Sequence, residues 1–273
     1  MLNRLAKLII SVSIFILSSI AGVIFKLLGK KTSGTLVILT YHSVKPEQHA
    51  KFKKQMDRLI DIGKPVFADI KGDLPKGVHH VAVTFDDGFQ SVLENALPTL
   101  QRAKIPATLF VPVGYLGSTP GWIKKASHEN ARETLLTAEQ LQRLPHDWVK
   151  IGSHCITHPN LRNLEPEQVK KELLESKSKL EELLGNKIEL LSFPYNSYND
   201  RIMGIARQVG YRRVFANVPI HPTTETDPFL YGRIDVSPDD WSIEYWLKLK
   251  GLYRWLPFAI AIKRKLISQE RTN

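Results

Sequence analysis

The chain has almost no cysteine, since Cys155 is the single one among its 273 residues. A single thiol excludes a disulfide within the chain and a metal site built from several cysteines. The sequence shows no internal repeat, no low-complexity segment and no sign of a second domain. With 43% hydrophobic and 24% charged residues, the chain is long enough to form one sizeable core.

Acidic residues are scarce at both ends of the chain. Residues 1–31 hold five basic residues and no acidic one, and residues 248–273 hold seven basic residues and one acidic residue. These ends therefore carry the whole net charge of +11, and the middle of the chain sums to zero. This distribution excludes the continuous positive surface typical of a DNA-binding domain, so we expect no nucleic-acid partner.

An uncharged, apolar run of 18 residues extends from Leu8 to Phe25, close to the roughly 20 residues that cross a bilayer. It predicts a membrane helix within an N-terminal anchor, residues 1–31. A signal peptide is the alternative, because the segment Ser19 to Ala21 is suited to cleavage. Apolar residues continue beyond that segment, which favours a retained anchor and a membrane-associated protein of the cell envelope. Basic residues flank the run on both sides, so the pattern does not predict its orientation.

Residues 246–273 form a C-terminal segment in which Trp, Tyr and Leu alternate with Lys and Arg. This composition is typical of a helix that lies at a lipid surface. A helix that packs on the domain and exposes a basic face fits equally well, because Pro257 interrupts the pattern. Both interpretations of this segment are kept.

Between these ends, residues 32–245 alternate short apolar runs with helical patterns. Apolar residues at helical spacing predict helices around residues 52–60 and, after Pro166, around residues 169–184. The sequence Thr137–Gln140 has the form of a capping box. Strands that alternate with helices predict parallel βα units, and about seven strands favour a closed or nearly closed barrel over an open sheet. The candidate strands are Leu36–Tyr41, Val81–Phe85, Ala107–Val111, Val149–Ser153, Glu189–Phe193, Arg213–Ala216 and Leu230–Val236.

Two adjacent carboxylates, Asp86 and Asp87, come directly after one of these strands. In βα barrels the catalytic groups gather at the carboxyl ends of the strands. His154 and His158, four residues apart, follow another predicted strand. Two imidazoles and one carboxylate, with an open position for water, match a catalytic zinc site. One of the two aspartates is therefore a candidate metal ligand.

Each of these segments alone has a simpler explanation. Asp-Asp-Gly is a common turn sequence, and two histidines four residues apart are more often surface or core residues than ligands. The combination is more specific, because Phe193-Pro194-Tyr195 stands at the end of a third predicted strand. All three segments are expected at the same rim of the barrel.

Three of these segments resemble the first three motifs of the NodB-homology polysaccharide deacetylases, carbohydrate esterase family 4. The matching sequences are Thr84-Phe-Asp-Asp-Gly88, His154-Cys-Ile-Thr-His158 and Ser192-Phe-Pro-Tyr195. Tyr41-His42-Ser-Val44 resembles the opening strand of many members, and the similarity extends over about residues 35–241. The resemblance implies a distorted (β/α) barrel and metal-dependent removal of N-acetyl groups from amino-sugar polymers.

By this resemblance, Asp86 is the general base, and Asp87, His154 and His158 bind a divalent metal, most simply Zn²⁺. Such a metal lowers the pKa of bound water and polarises the acyl oxygen, while a carboxylate beside it can accept the proton of the water. The backbone N–H of Tyr195 would help to stabilise the oxyanion. These roles explain why two adjacent carboxylates are tolerated, since one binds the cation and the other works beside it.

The sequence departs from the family pattern in two catalytic positions. The third motif usually begins with an arginine that orients the catalytic aspartate, and here it has none, so Arg233 on the next strand is the candidate replacement. The fifth motif, whose histidine acts as general acid, is missing, because no histidine follows His221. His221 itself, His42 and a proton shuttle through Asp86 are three alternatives for the acid.

The residues expected to line the substrate pocket match the family pattern less closely than the catalytic residues do. The sequence from Asp235 to Trp241 resembles the fourth motif loosely, which makes Asp235, Asp240 and Trp241 candidate pocket residues. His42, which the resemblance places near the mouth of the barrel, and Pro194, at the end of a predicted strand, are further candidates. Trp241 could equally belong to the core.

Two classes of function follow from the sequence. The first is a metal-dependent deacetylase that acts on a cell-surface polysaccharide or a lipid-linked saccharide. The second is a non-catalytic glycan-binding protein of the same fold, which the missing acid and arginine would allow. A membrane-associated scaffold with a chance metal site is a remote third. The unliganded carboxylate of Asp86 favours the enzyme, because a binding protein has little reason to keep its charge beside a metal site.

Overall fold

The computed structural model describes residues 3–27, 34–70, 74–218, 229–256 and 259, with the backbone alone for residues 21–27. The described residues form nine strands, namely β1 (Thr35–Tyr41), β2 (Lys64–Pro65), β3 (His79–Phe85), β4 (Ala107–Val111), β5 (Val149–Ser153), β6 (Leu190–Ser192), β7 (Arg213–Ala216), β8 (Leu230–Gly232) and β9 (Ile234–Asp235). The helices are α1 (Arg4–Leu27), α2 (His49–Ile62), α3 (Leu97–Arg102), α4 (Ala138–Gln142), α5 (Pro166–Leu184), α6 (Asp200–Val209) and α7 (Ser242–Leu249).

The strands form a nearly closed barrel in which every pair is parallel. Eight of them follow one another in the order β8-β7-β6-β5-β4-β3-β1-β9, and β2 pairs with β3 beside this path. The first and last strands of the order, β8 and β9, are separated in the chain by Arg233 alone. The predicted barrel is confirmed with eight strands rather than about seven, because the segment Leu230–Val236 divides at Arg233 into two strands with different partners.

The alternation of side chains along β1 and β3 separates two apolar layers. Val37, Leu39 and Val83 belong to the larger cluster, which the strands share with buried residues of α2 and α5. Leu36, Ile38, Ala82, Phe110 and Phe215 belong to a smaller cluster on the other face of the strands. Nearer the carboxyl ends of β1 and β3, buried Thr40 and Thr84 replace the apolar side chains. The strands therefore become more polar as they approach the edge where the candidate site residues lie.

Local signals set the predicted helix boundaries. Gln140 N donates to Thr137 Oγ1 at 3.2 Å and Thr137 N donates to Gln140 Oε1 at 2.8 Å, which completes the predicted capping box of α4. Pro166 is the first residue of α5, where a missing N–H costs nothing. The helix ends at Gly185, whose φ of 68° lies in the left-handed region that glycine adopts without strain.

The N-terminal segment forms helix α1, which packs against α7. Arg4 Nε donates to Glu244 Oε2 at 2.7 Å, and the rings of Phe15 and Trp246 meet edge to face at 4.7 Å. In the part of the chain that the structure describes, no helix has both the length and the apolar character needed to cross a bilayer. The membrane-spanning helix predicted from Leu8 to Phe25 is therefore not supported, and the described side chains of α1 instead make protein contacts along one face.

The boundary predicted at residue 246 falls inside α7. Tyr245, Leu247 and Leu249 of this helix are buried, so the described start of the C-terminal segment packs on the domain. Residues 257, 258 and 260–273, including Pro257, lie outside the described residues.

Candidate active site

The carboxyl ends of neighbouring strands bring the predicted site residues together in one pocket of about 560 Å³. Asp86 and Asp87 follow β3, His154 and His158 follow β5, and Tyr195 follows β6. These strands are near neighbours in the barrel, so short connections place all five residues at the same rim. The pocket is also lined by His42, Trp122, Asn130, Asn196, Asn217 and Asp235.

Asp87, His154 and His158 form a buried cluster whose possible ligand atoms lie within 4.8 Å of one another. Asp87 Oδ1 lies 3.2 Å from His158 Nε2 and 3.6 Å from His154 Nε2. His154 Nδ1 lies 2.8 Å from the carbonyl oxygen of Ser192, which can only accept, so Nδ1 carries the proton and Nε2 presents a lone pair to the cluster. Two imidazoles and a carboxylate in this arrangement fit a zinc site with an open position.

The surroundings of His154 and Asp87 set the charge of these two ligands. It lowers the pKa of His154 to about 4, so the imidazole is neutral at pH 7, as metal binding requires. Burial alone would raise the pKa of Asp87, but the hydrogen bond from His158 and the charges of His42, His158 and His154 lower it below its usual value. Asp87 is therefore an anion beside the neutral imidazole of His154, which suits a divalent cation.

The site contains a concentration of unusual backbone conformations. Asp87, Cys155, His158, Tyr195 and Asn196 have φ values between 54° and 70°. Residues other than glycine rarely adopt this left-handed region, where each costs about 1–2 kcal/mol. Strain at functional sites is tolerated because the surrounding fold holds the residue in place. Cys155 itself is buried in the core and is not a member of the ligand cluster.

Asp86 forms a buried ion pair with Arg233. Arg233 Nη1 lies 2.8 Å from Asp86 Oδ1 and Nη2 lies 2.6 Å from Oδ2, so the contact uses two parallel hydrogen bonds. Ser192 Oγ accepts from Arg233 at 2.7 Å and donates to Asp86 at 3.2 Å. Burial alone would raise the pKa of Asp86, but the Arg233 guanidinium outweighs it and holds this pKa well below the usual range. Asp86 is thus ionised at any neutral pH.

His42 and Asp235 face the same pocket from the other side. His42 Nδ1 lies 3.9 Å from Asp235 Oδ1, and 40% of the His42 side chain is exposed. Burial alone would lower the pKa of His42, but the carboxylates of Asp87, Asp86 and Asp235 together raise it above its ordinary value. A histidine in this position can carry a proton near neutral pH.

Three of the predicted pocket residues do not line this pocket. Pro194 is buried between Phe193 and Tyr195, which do. Asp240 is paired with Lys248 Nζ at 2.7 Å, and Trp241 lies in a neighbouring groove between α2 and α7. A turn, closed by the hydrogen bond from Asp240 N to Ser237 O, leads the chain away from the pocket after Pro238.

The structure adds residues that the sequence did not single out. Ser192 links Arg233 to Asp86 and also holds His154. Trp122, which belongs to the long connection between β4 and α4, stacks on His158. Ser192 stands within the third matching motif, so its place in that motif is the sequence feature that could have indicated a role in the site. Nothing in the sequence pattern around Trp122 indicates that it lies in the pocket.

A nearly closed parallel barrel with buried carboxylates and imidazoles at its carboxyl edge is typical of a barrel enzyme. Residues 73–214 match the model of the family described as "Polysaccharide deacetylase". The chain belongs to the polysaccharide deacetylase family. The resemblance drawn from the three motifs is thereby confirmed.

Individual relatives agree with this family. YxkH of Bacillus subtilis, whose name places it among the polysaccharide deacetylases, is 26% identical over 214 residues, which cover 74% of this chain and 72% of YxkH. The poly-β-1,6-N-acetyl-D-glucosamine N-deacetylase of Staphylococcus aureus is 24% identical over 196 residues, which cover 71% of this chain and 66% of that enzyme.

Solved structures share the fold. IcaB from Ammonifex degensii has a TM-score of 0.66 and 24% identity, with 80% of this chain and 98% of that chain covered. The Streptococcus pyogenes deacetylase PplD, solved in complex with acetate, has a TM-score of 0.65 and 22% identity, with 80% and 99% covered. The barrel is therefore that of NodB-like deacetylases.

Proposed function

We propose that the protein is a metal-dependent hydrolase that removes N-acetyl groups from the amino sugars of a polysaccharide or a lipid-linked saccharide. The observation that carries this proposal is the pairing of Asp86 with Arg233 beside the ligand cluster. Burying the ionised Asp86 and its partner Arg233 beside Asp87 costs desolvation free energy and so lowers the stability of the fold. A proton-accepting role explains that cost, whereas a glycan-binding protein would not need it.

The residues of the site have separate tasks in such a reaction. When bound by Asp87, His154 and His158, a divalent metal such as Zn²⁺ supplies a Lewis acid beside the acyl group. Asp86, held ionised by Arg233, accepts the proton of the attacking water. The backbone N–H of Tyr195, in the turn that follows β6 at the rim of the pocket, can donate to the oxyanion.

The leaving amine needs a proton, and His42 is the donor that we propose. It lines the pocket together with Asp86 and Asp87, and its contact with Asp235 supports the protonated form. His221, an alternative from the sequence, lies outside the described residues. A shuttle through Asp86 is less suited, because the low pKa of Asp86 disfavours its protonated form.

His42→Gln is expected to lower kcat by about 10²-fold or more, the usual contribution of a positioned acid. Because the folded protein raises the pKa of His42 from 6.5, the wild type should keep its activity up to this raised pKa and lose it as the pH increases further. The variant should lack this alkaline limb of kcat/KM. His146→Gln, at an exposed histidine outside the pocket, is the matched control. An unchanged alkaline limb in His42→Gln would exclude His42 as the acid.

Asp87→Asn is expected to weaken binding of Zn²⁺ by at least about 10-fold, because a neutral amide replaces a charged ligand. The measurement is a metal titration against a chelator of known affinity. Asp57→Asn, on the exposed face of α2 and paired with Lys53, changes the same side chain away from the site and should bind Zn²⁺ as the wild type does. Equal affinity in Asp87→Asn and the wild type would show that the cluster is not the metal site.

The reaction is tested by acetate release from β-1,6-linked N-acetylglucosamine oligomers, with the zinc content of the protein determined in parallel. This substrate is chosen because the staphylococcal relative is named for a polymer of it. Metal-dependent acetate release supports the proposal. Specific binding of the oligomers by the zinc-loaded protein without any acetate release would instead support a glycan-binding protein of the same fold.

We also propose that helix α1 places the protein against a lipid surface. In the part of α1 whose side chains are described, five large apolar residues are between 52% and 67% exposed, namely Leu5, Ile9, Ile16, Leu17 and Ile20. The opposite face contacts α7 and Trp255. Residues 1–31 hold basic residues and no acid, a combination that favours contact with anionic lipid.

Ile16→Glu is expected to reduce flotation of the protein with vesicles that contain anionic phospholipid, because it puts a negative charge on the apolar stripe. Ile60→Glu introduces the same charge at an isoleucine of α2 that is similarly exposed, and it should float as the wild type does. Higher salt should also reduce flotation, since charge attraction is screened within about 10 Å at 0.1 M salt. No flotation of the wild type at low salt would contradict a lipid-facing α1.

A further inference from the structure

The two imidazoles of the ligand cluster are held in different ways. His154 has a hydrogen-bond partner behind it, since its Nδ1 lies 2.8 Å from the carbonyl oxygen of Ser192. His158 Nδ1 is buried and has no hydrogen-bond partner within the described residues. Metal-ligating histidines almost always have such a partner, which fixes the ring orientation. Something else must therefore orient the ring of His158.

An aromatic contact takes this place. The ring of Trp122 stacks on the His158 ring, with centroids 4.4 Å apart and planes inclined by 20°. Tyr195 meets the same imidazole edge to face at 4.6 Å. The backbone of His158 has a φ of 54°, a conformation that a residue with a side chain adopts only when its surroundings hold it. The stack on Trp122 covers one face of the ring and limits its rotation.

Trp122 is itself supported before any ligand binds. Tyr115 meets the Trp122 ring edge to face at 5.0 Å. A Cβ atom at Gly121 would lie 2.5 Å from the Tyr115 ring, so the glycine is needed for this close packing. Ile123 N donates to Pro120 O at 3.0 Å and closes a turn around Trp122. The tryptophan therefore presents a preformed surface to the imidazole.

We propose that Trp122 is a positioning residue that holds the His158 ring with Nε2 toward Asp87 Oδ1, 3.2 Å away. Trp122 orients the His158 ring by stacking, whereas the Ser192 carbonyl orients the His154 ring by a hydrogen bond. This inference rests on the proposed metal site. It implies that metal affinity depends on an aromatic face at position 122, and loss of an outer partner of this kind typically weakens metal binding about 10- to 100-fold.

The test is a Co²⁺ titration of the full chain, in which visible absorption reports the ligand geometry. Trp122→Leu should bind Co²⁺ about 10-fold more weakly, with an altered spectrum, because the ring of His158 is no longer confined. Trp122→Phe keeps an aromatic face and should restore both affinity and spectrum to near those of the wild type. Trp148→Leu removes a half-buried tryptophan before β5, at the opposite edge of the barrel, and should change neither.

A second measurement uses tryptophan fluorescence. Bound Co²⁺ should quench the emission of Trp122, which contacts a ligand ring, so Trp122→Phe should lose this quenching while Trp148→Phe keeps it. The quenching measurement uses Trp122→Phe, so it tests the inference even if Trp122→Leu does not fold. Wild-type affinity and spectrum in Trp122→Leu, or undiminished quenching in Trp122→Phe, would overturn the inference and leave the metal site intact. A wild-type protein that binds no Co²⁺ would overturn the metal site and this inference together.

Discussion

Asp86→Asn is expected to lower kcat by about 10²- to 10⁴-fold, the usual contribution of a positioned proton acceptor. The amide has nearly the shape of the carboxylate and can still accept from Arg233, but it cannot take a proton from water. Asp86 does not belong to the ligand cluster, so the variant should bind Zn²⁺ as the wild type does. The measurement is acetate release together with zinc content.

The neighbouring aspartate is the matched control for this result. Asp87→Asn should lose activity through loss of metal, and excess Zn²⁺ should restore part of it, whereas Asp86→Asn should not respond to added metal. The two variants change the same chemical group at adjacent positions. Full activity in a zinc-loaded Asp86→Asn protein would exclude Asp86 as the base.

Arg233→Met is expected to lower the free energy of unfolding by about 3–5 kcal/mol at pH 7, because it leaves a buried charge without its partner. The Arg233 side chain is fully buried and the Asp86 side chain is 3% exposed. In the wild type the low pKa of Asp86 adds stability above the unfolded value of 3.8, and this stability is lost as the pH falls through the folded pKa.

In Arg233→Met, the contribution of Asp86 to the pH dependence of stability has the opposite sign. Burial without the guanidinium raises the pKa of Asp86 above its unfolded value, so the variant should gain stability relative to the wild type as the pH falls. Urea unfolding at pH 7 and pH 5 measures this difference. Asp86→Leu combined with Arg233→Met should recover most of the loss, because a buried pair replaced by apolar residues is often neutral. A loss below about 1 kcal/mol at pH 7 would contradict the expected burial of an uncompensated charge.

Much of the barrel could be predicted because its strands are apolar runs with helices between them. The predicted β4, β5 and β7 agree with the structure residue for residue. Asp86 and His154 could be placed at one rim for the same reason, since parallel strands end at a common edge. The two-residue strand β2 was missed, because its sequence Lys64–Pro65 is too short and polar to show a pattern.

Other features depend on contacts between distant residues, which a local pattern does not encode. Trp122 stands 36 positions before His158 in the chain, in a connection of turns without regular periodicity. The loose resemblance of residues 235–241 to the fourth motif makes Trp241 a candidate pocket residue, with the core as the alternative, but the turn after Pro238 carries it to another groove. The apolar run in α1 predicted a membrane helix, and apolar content alone does not reveal that Arg4 and Phe15 contact α7.

The position of Arg233 between β8 and β9 has a consequence for the whole molecule. This one residue joins the two ends of the strand order and also carries the guanidinium that keeps Asp86 ionised. An insertion or deletion of one residue between Gly232 and Ile234 would turn the guanidinium away from Asp86, because successive side chains in an extended chain alternate in direction. The register of β8 and β9 against their neighbours and the charge balance at Asp86 therefore depend on the same residue, so a shift in one would disturb the other.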